Sequence, residues 1–296
     1  MNYFLGLLLA GLSLGFIYAL VALGFVIVFK CSRVFNIAQG AFVLMGAYLC
    51  WWFVSGWKLS VWLGCLFVIG IAAIIGVLIE RLIIRRLIGQ PLVTSMMMTI
   101  ALLGVLEGLV CLIWGGEFGS YDFRVPIASV TFGELAIASE PLLAMGISVI
   151  ILIILILFFR YTKLGLGMRA TAENEQVAQS NGIRVNTIYT LAWVISCVLG
   201  AIGGIFLGNM SGASLGLSHT GLNALAVALL GGLDSIPGTI VAGIIVGCME
   251  NVSAGYLDPL MPSGGGLARV VPFIVMIFML IFKPHGLFGL SRIERI

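Results

Sequence analysis

Nine apolar runs, most of them close to a bilayer's thickness in helical length, decide what this chain can become. They cover residues 4–29, 34–54, 59–79, 91–114, 141–159, 187–208, 219–233, 238–256 and 268–283. A helix needs about 20 residues to cross the hydrocarbon core, where every backbone N–H and C=O must be bonded within the segment. Only 9% of residues are charged, against about 25% in soluble domains. The class that follows is all-α: a polytopic transmembrane helical bundle of eight or nine spans. One membrane domain accounts for residues 1–296, and no soluble domain can be fitted in.

The count turns on the end of the chain. The seventh and ninth runs are short, and only Asp234–Gly238, a turn signal, separates the seventh from the eighth. Residues 219–256 are thus two full spans, two half-helices or one broken span. Residues 1–29 lack a basic n-region and a cleavage site, so the first run is expected to stay as a span.

Basic residues cluster at 80–90 (Arg81, Arg85, Arg86), at 160–186 and in the tail (Lys283, Arg292, Arg295), with Lys30 and Arg33 between the first two runs. The positive-inside rule puts all of these in the cytoplasm. Residues 115–140, with one Arg and four acids, then face out. The N-terminus falls outside and the C-terminus inside, and three crossings follow residue 209, which favours 219–233 and 238–256 as separate passes. The β-like composition of 125–132 predicts a short hairpin or lid-like loop, and the Gly- and Pro-rich stretch 258–269 predicts a second outer loop. The net charge of +3 is a topology signal and implies no nucleic-acid partner.

Residues 160–186 form the longest polar run. Thr171 reads as an N-cap, with Glu173 and Glu175 in the first turn and Asn181-Gly182 as the stop. A helix of about ten residues, ~15 Å long, cannot stand alone in water. It needs a dock, whether lipid, another part of this chain or a different protein.

Few polar groups lie inside the runs. Glu107 and Glu250 are intramembrane carboxylates, each in the outer half of its run. They either line a pathway and meet a cationic substrate group or act as hydrogen-bonded glue. Asn36 and Gln39, with Gly40 beside them, open the second run. They are either a capped helix start or a bent segment lining the inner end of a pathway. Among 39 glycines, Gly11, Gly15 and Gly24, Gly200, Gly203, Gly204 and Gly208, and Gly243 and Gly247 include small-residue pairs four apart that let membrane helices approach closely.

Catalytic signatures are missing. No Lys follows Gly, so there is no phosphate loop of the GxxxxGK[ST] kind. Gly165-Leu-Gly167-Met-Arg-Ala170 matches GxGxxA, but a membrane run precedes it where a βαβ unit would be required. His219 and His285 are far apart, and none of the six cysteines sits in a CxxC pair, so no disulfide, metal site, cofactor or enzymatic activity is expected. The chain moves something.

Three blocks carry a resemblance. They are 11–29 followed by VFNIAQGAFVLMGAY (34–48), GLGMRATAENEQVAQSNGIRV (165–185), and 221–251 with the ending FKPHGLFG (282–289). Together they resemble, in order and over nearly the whole chain, the inner-membrane permease subunits of branched-chain amino acid ABC importers. The resemblance implies a coupling helix at about Ala170–Gly182, within the cytoplasmic loop 160–186, that seats on a separate ATPase, with Arg169, Ala170, Glu173, Asn174, Ala178 and Gly182 as contacts. It also implies a second homologous permease subunit, two cytoplasmic ATPase subunits that bind and hydrolyse the ATP, a periplasmic substrate-binding protein, and a setting in inner-membrane lipid. A translocation pathway would use Asn36, Gln39, Gly40, Glu107 and Glu250. One departure bears on substrate. Where the family often reads N-[FL]-A-H-G-E, this chain has Asn36-Ile-Ala-Gln39-Gly40-Ala41. Urea, short amides or aromatic acids are therefore alternative cargoes, and an ion-coupled secondary transporter or a purely structural, gating subunit are the remaining alternatives.

Overall fold

A computed structural model describes residues 2–116, 119, 130–132, 135–137, 139–261, 266–283 and 285–289. The helices in chain order are α1 Asn2–Ser32, α2 Gln39–Trp51, α3 Val61–Leu82, α4 Leu92–Trp114, α5 Ser139–Tyr161, α6 Lys163–Glu173, α7 Glu175–Ser180, α8 Val185–Ser211, α9 Thr220–Gly231, α10 Ile236–Tyr256 and α11 Leu267–Phe282. Each apolar run has become a helix. Among the described residues, six stretches are long and apolar enough to cross a membrane: Tyr3–Ser32, Val61–Arg86, Leu92–Trp114, Ser139–Tyr161, Val185–Ser211 and Ile236–Leu260. Helix α2 is shorter because it begins only at Gln39, then widens into a π turn over Trp52–Gly56. Helix α9 has 12 residues, about 18 Å, and a 3₁₀ turn over Leu215–His219 extends it.

Between α4 and α5 lies a hairpin of β1 Val130–Phe132 and β2 Leu135–Ile137, antiparallel with Val130 opposite Ile137. Part of the expected hairpin, 125–129, lies outside the described residues, as do 262–265 of the second loop and the tail residues Arg292 and Arg295.

The chain forms two compact units, one from residues 1–22, 125–149 and 223–296, the other from 23–124 and 150–222. In the first, α1 and α10 touch backbone to backbone. A Cβ on Gly15 would lie 2.7 Å from the Gly243 carbonyl oxygen, and one on Gly243 would lie 2.6 Å from that of Gly15. No larger residue fits either position without separating the helices, which is how small residues four apart act in membranes. The turn before α10 is built by Ser235, whose Oγ accepts the Gly238 N–H at 3.1 Å. The end of α9 is closed by the tail, where the Leu287 N–H donates to the Leu230 carbonyl at 2.8 Å. Asp258 Oδ1 accepts the Ala268 N–H at 3.1 Å and so caps α11 from ten residues upstream.

In the second unit α8 is the central post, packed by α2 and α3. Gly204 meets the Val43 carbonyl, and a Cβ on Gly76 would lie 2.8 Å from the Val194 Cα. Trp193, Phe42, Ile79, Leu102 and Cys197 fill the space between these helices. By contrast α3, α4 and α5 bury under a third of their span windows and leave Trp62, Leu66, Leu112 and Ile154 exposed. Apolar outside and small or polar inside is the arrangement lipid as a solvent requires. Tyr48, Trp52 and Trp114 stack at one end of α2 and α4, with ring centroids 5.8 Å apart for Tyr48–Trp114 and 5.9 Å for Trp52–Trp114. Such amphipathic rings mark a membrane interface.

Candidate functional site

The polar run is a helical hairpin, and its break is not where the capping pattern predicts. Helix α6 begins at Lys163, with Thr162 Oγ1 accepting the Gly165 N–H at 3.0 Å. Gly165, Met168 and Thr171 lie three apart on its buried face. Gly165 sits against the backbone of Phe158 and Phe159 at the end of α5, so the chain reverses tightly there. Thr171 is therefore interior to α6 and not a cap. The cap is Asn174, extended at φ −153°, whose Oδ1 accepts the Val177 N–H at 3.1 Å to start α7. The stop falls where expected. The Gly182 N–H donates to the Gln179 carbonyl at 2.9 Å, and Gly182 has φ +81°, a conformation open to glycine at little cost. GxGxxA thus lies wholly within α6, and the element that leads into it is helix α5, not a strand.

Six residues of helix cannot persist unaided. Helix α7 is held by Ala178, buried against Val185 and Tyr189 with Ile88, Ala170 and Ile183 around them. Of the expected contact residues, Arg169, Glu173, Asn174 and Gly182 are exposed, Ala170 is half-buried, and Ala178 is buried as the helix's anchor. The outward face adds Glu175, Gln176, Val177 and Gln179. Val177 stands 55% exposed among the polar residues of α7, and Leu164 and Leu166 are exposed on α6.

Beneath the hairpin lies an ion pair that sequence reading missed. Glu80 is fully buried at the end of α3. Arg85 grips it with Nε to Oε1 at 3.0 Å and Nη2 to Oε2 at 3.0 Å, and Thr190 of α8 donates to Oε2 at 2.7 Å. The pair pins the connection 83–91 onto α8 and so holds Ile88 under Ala178.

Asn36 and Gln39 form a buried polar group with Ser196 of α8. Asn36 Nδ2 donates to Gln39 Oε1 at 3.1 Å and to Ser196 Oγ at 3.3 Å. Ser196 Oγ donates to Gln39 Oε1 at 2.7 Å, and Gln39 Nε2 donates to the Ser196 carbonyl at 3.1 Å. The segment ahead of α2 is bent and Asn36 is not its cap: residues 33–36 are outside any helix, and Ala38, with no side-chain bond, occupies the cap position. Gly24 and Gly200 leave room for the Gln39 amide, and Gly40 touches the Ser218 carbonyl. Thr99 of α4 holds the bend, donating to the Phe35 carbonyl at 2.9 Å, while Asn36 Oδ1 is buried with no partner among the described residues.

Glu250 belongs to a separate cluster in the other unit. Tyr18 of α1 donates to Glu250 Oε1 at 3.1 Å and accepts from Asn223 Nδ2 of α9 at 3.2 Å. Glu250 Oε2 is buried with no partner among the described residues. Glu107 is half-buried on α4 and joins none of these groups. Asn223 and Ser196 gave no signal in sequence beyond being polar in apolar runs, and Tyr18 gave none.

The comparisons agree with this architecture. A family model described as "Branched-chain amino acid transport system / permease component" matches residues 7–280. The high-affinity branched-chain amino acid transport system permease protein LivH of Escherichia coli strain K12 is 29% identical over 321 aligned residues, covering 99% of this chain and 98% of that protein. The corresponding permease protein BraD of Pseudomonas aeruginosa is 28% identical, with the same coverage. Among solved structures, PsaBC from Streptococcus pneumoniae in complex with Fab aligns with TM-score 0.51 and 16% identity over 95% of this chain and 91% of that one. That likeness concerns the fold alone.

Proposed function

Because this chain belongs to the family of branched-chain amino acid transport system permease components, we propose that it forms, with a second homologous permease subunit, the translocation pathway of an ATP-driven importer for branched-chain or related amino acids. It is a multi-pass membrane protein with no cofactor of its own. Two cytoplasmic ATPase subunits bind and hydrolyse the ATP, and a periplasmic binding protein delivers the substrate. The N-terminus lies outside and the C-terminus in the cytoplasm.

The observation that carries this reading is the α6–α7 hairpin. It is anchored from below by Ala178 and presents Arg169, Glu173 and Val177 outward. Charged side chains interleaved with the exposed Leu164, Leu166 and Val177 on two short helices suit a protein groove. Closure of the ATPase pair would pull on the hairpin and rock the spans between outward-open and inward-open states. Asn36, Gln39 and Gly40 would line the inner part of the pathway, and Glu250, with Glu107, its outer part.

Because the Asn36–Gln39–Ser196 group is wholly neutral, a second reading is the same importer class carrying urea, short amides or aromatic acids. The test is uptake of labelled leucine into proteoliposomes holding the complete complex, with binding protein outside and ATP inside. Uptake should require ATP and ignore an uncoupler. Uptake without ATP that an uncoupler abolishes would mean an ion-coupled transporter, and competition by amides but not by leucine would favour the second cargo.

A further inference from the structure

We infer that Arg33 is a transmission residue, tying the α6–α7 hairpin to the break ahead of α2 so that movement of the hairpin reaches the Asn36–Gln39–Ser196 group. The inference rests on the proposed docking role of the hairpin and names the route inward from it.

Arg33 occupies the left-handed region at φ +54°, which Gly or Asn takes more readily. Its side chain has a defined task there. Nη2 donates to the Ala172 carbonyl at 3.3 Å. Ala172 lies in the last turn of α6, where carbonyls have no partner within the helix and the dipole favours a cation. The neighbouring Ala170 carbonyl is satisfied by the Asn174 N–H at 3.1 Å. The guanidinium also lies over the Phe29 ring, 5.6 Å from its centroid.

Only Val34 and Phe35 separate Arg33 from Asn36, and there is little slack between them. Val34 is buried. The Phe35 ring lies 6.4 Å from that of Phe25 and 6.2 Å from that of Phe29. Thr99 holds the Phe35 carbonyl and accepts the Ile37 N–H at 3.2 Å. At its other end the hairpin runs through Gly182 into α8, which carries Ser196. The two sides of the polar group are therefore tied to the hairpin in different ways, α8 by the covalent chain and the break by Arg33. Without Arg33, a pull on the hairpin moves α8 and leaves the break behind.

The test uses the complete complex in proteoliposomes and reads leucine delivered per ATP hydrolysed. Arg33→Asn and Arg33→Gly suit the backbone and cannot reach Ala172, whereas Arg33→Lys keeps the charge and a donor. The expected result is normal assembly and ATP hydrolysis in the Asn and Gly variants. Leucine per ATP should fall about tenfold, a usual size for coupling between sites, and Arg33→Lys should recover most of it. A wild-type ratio in the Asn and Gly variants overturns the inference. So does a parallel fall in hydrolysis and uptake, which would mean a structural role, or loss of the ATPase from the variants, which would mean docking. If the unmodified chain brings no ATPase, the proposed function fails first and this inference with it.

Discussion

Removing Arg85 should harm this protein more than removing the acid it grips. Glu80 is 0% exposed and Arg85 is 39% exposed, so the two partners are not equivalent. In Arg85→Ala the carboxylate stays buried with only the Thr190 hydroxyl, bonded at 2.7 Å. Breaking a fully buried pair costs ~3–5 kcal/mol, and the partial exposure of Arg85 lowers that to about 2–4 kcal/mol. In Glu80→Ala the arginine turns into water, leaving the loss of its hydrogen bonds and some packing, about 1–2 kcal/mol. The double variant should resemble Glu80→Ala, so the coupling between the sites equals in size the cost of Arg85→Ala alone, about 2–4 kcal/mol. The assay is the half-life of monodisperse protein in mild detergent at fixed temperature, a rate being the sound measure where unfolding is irreversible. The double variant should outlast Arg85→Ala. If Glu80→Ala decays as fast as Arg85→Ala, or the double variant faster than both, the buried-anion reasoning is wrong.

Three further outcomes are expected. Tyr18→Phe unpairs both Glu250 and Asn223 at a stability cost of about 1 kcal/mol, as for interhelical bonds in membranes. If Glu250 lies on the pathway, uptake per assembled complex should fall well beyond that, and unchanged uptake would make the cluster structural glue. Gly15→Val should prevent α1 from closing on α10 and abolish the folded peak in size-exclusion chromatography. Gly108→Val, at a glycine with nothing within 4 Å of a built Cβ, should leave the peak intact, and equal behaviour would contradict the backbone-contact reading. Glu107→Gln should slow zwitterion uptake more than amide uptake, and equal effects would remove Glu107 from the pathway.

The apolar runs made every main helix legible, because lipid leaves the backbone only helices or closed barrels and runs this long and continuous fit the helix. Gly11, Gly15, Gly243 and Gly247 were legible as close-approach positions for the same reason, although their pairing was not. The α6–α7 boundary was misread because Thr171 and Asn174 are both good caps. Packing decides between them, since Gly165, Met168 and Thr171 form one buried face and turn the threonine inward. The bend ahead of α2 was visible as an alternative, but its partner Ser196 was not, being 157 residues from Gln39. Tyr18 and Asn223 were hidden likewise, because a polar atom in an apolar run shows its partner only when the helices meet. Glu80 read as the first residue of a basic loop, yet it is the buried end of α3.

The central claim is that the α6–α7 hairpin docks an ATPase. Its most direct test is mild-detergent purification of the tagged chain from its native host, beside a variant carrying Arg169→Glu and Glu173→Arg, with mass spectrometry of the co-purifying subunits. An ATPase and a second permease should co-purify with the unmodified chain, and the variant should be inserted and folded but without the ATPase. A homo-oligomer with no ATPase, or a variant that retains its full complement, would contradict that claim.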